Sequence, residues 1–384
     1  MACGSERVAF GPSLRVLPRD GRPALQLGRD VHALLGLVFD ATTVVAAAAH
    51  LRGCAEQRQR CFVSTPNVNF VIAAQRDAAF RDSVLQSDLS LADGAPVVRL
   101  ARLLGVPLPE RVAGADLFEH LRRGDSTQPL KVHFFGGADG VAEQAARALN
   151  VEAGGLRCVG HLSPGFGSIE SMSSDAIIGS INAAGADFVV VSLGAAKGQA
   201  WIQRNRARLA APIVSHLGAV VNFVAGDVHR APVWVRRAGL EWCWRILEEP
   251  GLWRRYAGDA ARLLRLLWTA WRATPRTRLP PTATPARWQP RVDGRLTHFE
   301  LAGAWSRDDL HPLRQAVADA LNAGCDVQFD IHAVDDADAA VLALLALIDR
   351  WQQEPRAIVG TVSTRLRARI AACGLTFLLD HTDL

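Results

Sequence analysis

The chain has 384 residues, enough for two domains, with 49% hydrophobic and 21% charged residues. That composition excludes a disordered polyelectrolyte and a fibrous repeat. The net charge of +5 is uneven: residues 230–278 hold eleven Arg against Glu241, Glu248, Glu249 and Asp259, with Trp242, Trp244, Trp253, Trp268 and Trp271 in the same stretch. A basic, Trp-rich segment between near-neutral regions points to a polyanion or a membrane surface as partner.

The first residues, MACGSERVAFGP, carry no apolar run of the signal-peptide kind. The longest uncharged stretch, 209–226, is interrupted by Pro212, His216 and Asn222, which argues against a spanning helix. Seven cysteines form no CxxC pair, so reduced thiols and a cytoplasmic setting are expected. From residue 60 onward, short β-branched runs alternate with helical patterns. Residues 60–63 lead into TPN; 131–135 (KVHFF) precede GGADG and a helix over 141–149. Residues 187–193 (DFVVVSL) read as a strand buried on both faces, followed by a GAAKGQ turn and a helix over 201–209; 213–224 give two further apolar runs around HLG. Strand, glycine turn and helix, repeated, predict an α/β fold with a Rossmann-like, open, mostly parallel sheet whose ligand lies at the carboxyl ends of the strands.

Prolines 275, 280, 281, 285 and 290 mark a semi-extended linker. Beyond it, strands at 296–301, 327–331 and 357–360 alternate with helices at 309–322, 339–351 and 364–373, a small βαβαβα module. The resulting division is an N-terminal extension (1–29), a first domain (30–256), a basic amphipathic appendage (257–274), a Pro-rich linker (275–292) and a tail module (293–384).

Several residues could carry chemistry. Asp93, beside Gly94, can act as a general base, and Thr65-Pro66-Asn67 follows a strand. Taken alone, both read first as turns or helix caps. Gly136 and Gly137 open a strand-to-helix junction that on its motif alone reads first as a plain tight turn; its amides could also cradle a phosphate, although the GxGxxG spacing of a dinucleotide site is missing. In the appendage, Leu263, Leu264, Leu267, Trp268 and Trp271 share one helical face flanked by Arg262, Arg265 and Arg272, as an anionic membrane interface would require. Packing on the protein's own core is the competing reading, and nucleic acid is not expected. HAVDDAD (332–338) matches no standard metal loop and reads as a solvated loop with an Asp cap. No Asp-x-Asp precedes the linker, which counts against a metal-chelating sugar-nucleotide fold, and no GxSxG marks a serine nucleophile; no metal site and no cofactor are expected.

The blocks TPN (65–67), LADG (91–94), LPERVAGADL (108–117), FFGGADGVAEQAA (134–146), VVVSLGAAKGQAWI (189–202), AGDVHRAP (225–232) and GLEWCWRI…EP…RRY (239–256) resemble, in this order, the WecG/TagA/CpsF glycosyltransferases. The resemblance implies inverting transfer of a hexose-type unit from a UDP-sugar donor to a polyprenyl-diphosphate-linked acceptor at the inner face of the plasma membrane, in cell-surface or exopolysaccharide biosynthesis. It implies Asp93 as catalytic base, Thr65 and Asn67 beside the donor sugar, and Arg245 and Arg255 on the diphosphate. The family's usual PKQE reads Ala196-Lys197-Gly198-Gln199 here, its usual Asp is Asn222, and Arg254 stands ready for an Arg replaced by Leu252. Lys197, Gln199, Asn222 and Arg230 complete the expected binding set. The tail resembles a STAS domain and implies an unidentified protein partner, but Ala339 and Ala340 follow Asp338, so the phosphorylated serine of that family is absent. The alternative is a non-catalytic, nucleotide-binding scaffold acting through that module.

Overall fold

The structure is a computed structural model describing residues 14–124, 127–151, 154–226, 231–232, 234–235, 241–248, 251, 253–273, 284–352, 354 and 356–380. Strands Arg15–Val16 (β1) and Leu25–Gln26 (β2) pair first, followed by a hairpin of Val31–Leu34 (β3) and Leu37–Asp40 (β4). Its two turn residues, Leu35 and Gly36, take φ of 49° and 88°, the double positive that a tight two-residue hairpin needs. Next come Val44–Glu56 (α1), Cys61–Ser64 (β5), Val68–Ala74 (α2), Ala78–Leu85 (α3), Leu89–Ser90 (β6), Ala95–Leu103 (α4) and Gly114–Arg122 (α5). Leu130–Gly136 (β7), Val141–Val151 (α6), Leu156–Leu162 (β8), Asp175–Ala183 (α7), Phe188–Ser192 (β9), Ala195–Asn205 (α8), Ile213–His216 (β10) and Gly218–Ala225 (α9) complete the alternation.

Six of these strands form one parallel sheet in the order β6-β5-β10-β9-β7-β8, which bears out the open α/β expectation. Alternate residues feed opposite faces. Phe134 and Val190 pack with Leu51, Phe118 and Val221 on one side; Phe135, Val189 and Val191 pack with Phe62, Trp201 and Ile202 on the other. Phe135 stacks on Trp201 at 4.4 Å between centroids. The helix expected at 201–209 begins earlier, at Ala195, so Lys197, Gly198 and Gln199 sit in its first turns and not in a loop.

Two helices follow, Glu241–Glu248 (α10) and Trp253–Ala273 (α11). The apolar face expected on the latter is divided. Leu263 and Leu267 are half-buried with Leu266 and Ala270 in a core shared with α2, while Leu264, Trp268 and Trp271 stay 67%, 57% and 56% exposed. No helix among the described residues is long and apolar enough to cross a membrane.

The tail module comprises Arg287–Asp293 (β11), Leu296–Trp305 (β12), Leu310–Asn322 (α12), Asp326–Ala337 (β13), Ala339–Gln352 (α13), Ile358–Val359 (β14) and Thr364–Ala372 (α14). Its sheet runs β11-β12-β13-β14, antiparallel at the first pair and parallel thereafter. The expected linker therefore ends early: residues 287–292 form an edge strand paired with β12, while 275–283 lie outside the described residues. The expected loop at 332–338 is mostly strand. Buried Asp336 binds Arg365 and Arg369 there, and Asp338 caps α13 through the amides of Ala340 and Val341. Residues 14–29 are also not a free extension, since Leu14, Val16, Leu25 and Leu27 are buried in the tail module's core.

Candidate functional site

A cavity of about 1160 Å³ opens over the carboxyl ends of the parallel strands. Each wall segment follows a strand: Thr65 and Asn67 after β5, Asp93 and Gly94 after β6, Gly137 and Ala138 after β7, Leu193 to Lys197 after β9, and Leu217 to Asn222 after β10. Trp244, Ile246, Trp253, Asp259 and Leu263 of α10 and α11 close the remaining side.

Backbone bonds fix the first two segments to each other. The Asp93 amide donates to the Pro66 carbonyl at 3.0 Å, and that of Leu91 to Ser64 at 2.9 Å. Gly94 then turns with φ of 109°, which an L side chain rarely adopts, and serves as N-cap of α4. Asn67 caps α2 by accepting from the Phe70 amide at 3.2 Å. Space is limited at Gly114, where a Cβ would lie 2.5 Å from Leu217 Cδ2 and 3.3 Å from Thr65 Cγ2.

The first residues of α2, α4, α5, α6, α8 and α9 all line the cavity. The N-caps of α4, α5, α8 and α9 (Gly94, Ala113, Gly194 and Leu217) provide no side-chain cap. By contrast α1, α3, α7 and α14, which begin elsewhere, are capped by Thr43, Asp77, Ser174 and Ser363. Helix N-termini carry partial positive charge and unsatisfied amide donors, so several converging on one space form an anion site.

The expected site residues divide accordingly. Asp93, Thr65, Asn67, Gly137, Lys197 and Asn222 line the cavity. Gly136 lies behind it: its φ is 93°, and a Cβ there would meet the Ser192 carbonyl at 2.7 Å. Gln199 is also behind the wall, fully buried, donating to Ser64 Oγ at 3.0 Å. The Lys197 ammonium donates to the Gly167 carbonyl and so pins the loop on the rim. Arg230 lies outside the described residues; Arg245 falls in α10, and Arg254 and Arg255 in α11, with side chains outside them.

Sequence reasoning missed three wall residues. His216 ends β10, with its Nε2 on the Leu193 carbonyl; burial holds its pKa below the usual histidine value, against that bond, so the ring is neutral at pH 7. The Trp244 indole N–H is buried on the wall without a partner among the described residues. Asp259 is buried on α11, 3.5 Å from Arg262, a second carboxylate facing the cavity. It was legible only as a lone acid four residues before Leu263 in a basic helix.

Comparison with known proteins agrees with this architecture. Residues 32–277 match the sequence model described as "Glycosyl transferase WecG/TagA/CpsF family". The chain is similar to proteins named N-acetylglucosaminyldiphosphoundecaprenol N-acetyl-beta-D-mannosaminyltransferase. One, from Bacillus spizizenii, is 29% identical over 200 residues, covering 52% of this chain and 76% of the relative. A Bacillus subtilis relative is 27% identical over the same shares. A Staphylococcus aureus relative is 25% identical over 224 residues, 58% of this chain and 85% of its own. With the family's sequence model matching well over half the chain, across the sheet and the helices that build the cavity, this protein belongs to the WecG/TagA/CpsF family of glycosyltransferases.

Proposed function

We propose that the chain transfers a hexose-type sugar, of the N-acetylmannosamine class named for its relatives, from a UDP-sugar to a polyprenyl-diphosphate-linked acceptor, with inversion, in cell-surface or exopolysaccharide biosynthesis. The observation that carries this reading is one cavity holding Asp93 together with four helix N-termini that lack side-chain caps. Asp93 takes the proton of the acceptor hydroxyl as its oxygen bonds to the anomeric carbon, and the bond from that carbon to UDP breaks. The departing diphosphate gains negative charge, which the fixed amide dipoles meet without reorganising. Arg245, Arg254 and Arg255 add cationic hydrogen bonds. Asn67, Thr65, Asn222 and Trp244 are left to orient the sugars.

Asp93→Asn should lower kcat by ~10²–10⁴, the range for losing a general base. UDP affinity, measured by calorimetry, should stay within about twofold of wild type, because the anion site is untouched. A variant that turns over normally, or one that loses UDP, overturns the assignment.

A lipid-linked acceptor stays in the bilayer, so the enzyme has to come to it. Exposed Leu264, Trp268 and Trp271 on the basic α11 supply the docking edge of residues 257–273. Trp268→Glu with Trp271→Glu should abolish flotation with anionic liposomes, and unchanged flotation removes this edge from the reading. The tail module is read as STAS-like and protein-binding; in support, its parallel strands alternate with helices and Asp338 caps the helix that Ala339 opens.

A further inference from the structure

The other end of the same sheet carries a cluster that the transferase reading does not use. His50 and Cys54 lie four residues apart on α1, hence on one face of the helix. The chain then reverses tightly. Arg58 takes φ of 52°, the Gln59 amide donates to Cys54 O at 2.8 Å, and the Cys61 amide donates to Pro212 O at 2.8 Å. Cys61, the first residue of β5, is thereby returned to the side of Cys54. The two sulfurs and a ring nitrogen of His50 all lie within 4.8 Å of one another.

We propose that His50, Cys54 and Cys61 form a binding site for one zinc ion, which ties the end of α1 to the start of β5. The geometry suits the ion. Zinc bonds of ~2.3 Å to sulfur and ~2.0 Å to nitrogen at a tetrahedral angle put N and S about 3.5 Å apart. His50 Nε2 and Cys54 Sγ are 3.5 Å apart. Two thiolates and an imidazole are a soft set that selects zinc over magnesium or calcium. Both cysteines are buried and His50 is half-buried, so the ion enters from the histidine side and a water takes the fourth position. Cys61 begins the strand whose far end leads to Thr65, so this ion lies away from the cavity and does not touch substrate.

The test uses the full-length chain purified without chelators. Elemental analysis should find about one zinc per chain, and cobalt replacing it should give the near-ultraviolet thiolate-to-cobalt charge-transfer band. Cys54→Ser should lower cobalt affinity at least ~100-fold while UDP affinity is unchanged. Since Cys61→Ser buries a new hydroxyl, half-buried His50→Ala supplies the second variant, with the same expected loss. Wild-type cobalt affinity in both variants, or no charge-transfer band, overturns the site. Recovery of Cys54 and Cys61 as a disulfide after acid-quenched alkylation of whole cells also overturns it and makes the pair a redox couple.

Discussion

Gly198 shows how a residue's meaning can hide in the sequence. In the Ala196-Lys197-Gly198-Gln199 block it reads as a lost side chain, yet a Cβ there would lie 2.2 Å from His216 Cδ2. The glycine is what admits a half-buried imidazole at the cavity wall, and the two residues are eighteen apart in the chain, beyond any local pattern. Asp93, Thr65 and Asn67 were legible because their motifs sit where strands end. Gln199 was misplaced because its helical phase, not its motif, turns it into the core. A second histidine carries a testable consequence. His133 is buried on β7 with Nδ1 unpartnered among the described residues, and burial, aided by His161, lowers its pKa to about 4. Its folded pKa is below the unfolded value, so the unfolded chain binds the proton more readily. Stability is therefore intact above about pH 6.5 and is lost as pH falls towards about 4, by up to ~3 kcal/mol for this group. His216, also lowered, adds to the loss; Asp88 and Asp349, raised by burial, oppose it. The difference between wild type and His133→Asn isolates the contribution of this histidine. Urea denaturation from pH 7 to 4 should give the variant the shallower slope, and parallel slopes would show that His133 is protonated in the fold.

At the scale of elements, the parallel strands were readable because burial on both faces forces unbroken β-branched runs such as FVVVS in β9. The start of α8 was not, because glycine and alanine give no apolar period. Gly194 begins that helix as a non-hydrogen-bonding cap with φ of −57°, and a Cβ there would meet nothing within 4 Å. A side chain fits, so Gly194→Asp separates stability from function. The new carboxylate would accept from the α8 amides and stabilise the fold by about 1 kcal/mol relative to a poor cap, somewhat less relative to glycine. The same carboxylate would occupy donors meant for the diphosphate and repel it. Thermal melting should therefore shift upward, while UDP binding weakens by about 1.5–3 kcal/mol, the range for charge-assisted hydrogen bonds. UMP should be less affected than UDP. A variant that is more stable and binds UDP as wild type does would mean that the diphosphate lies away from α8.

At the scale of the molecule, the Pro-rich segment suggested a boundary between two self-contained units, and local sequence gave no reason to doubt it. The packing is different. Leu14, Val16, Leu25, Leu27 and Val31 lie in one core with Phe299, Phe329, Leu344 and Ile348, residues about 300 positions away. The contact continues across the surface: Trp351 Nε1 donates to Pro23 O at 2.6 Å, Arg22 meets Asp326 at 2.9 Å, and Arg350 meets Asp82 at 3.4 Å. This also explains why α13 is apolar nearly all round, since β3 covers the side that β13 does not. Burying a large aliphatic side chain contributes ~1.5–3 kcal/mol, so Leu14, Val16, Leu25 and Leu27 together amount to roughly 6–12 kcal/mol. That is comparable with the whole stability of a domain, ~5–15 kcal/mol. The tail module should therefore not persist without the residues that precede the first domain. Calorimetry of the full chain should give a single transition, with matching calorimetric and van't Hoff enthalpies. Deleting residues 1–29 should make 284–380 sensitive to limited proteolysis and bind a hydrophobic dye, while the cavity end of the sheet, built without them, still binds UDP. Two well-separated transitions in the full chain, with undiminished protease resistance of the tail after the deletion, would show that the shared core contributes little and that the module stands alone.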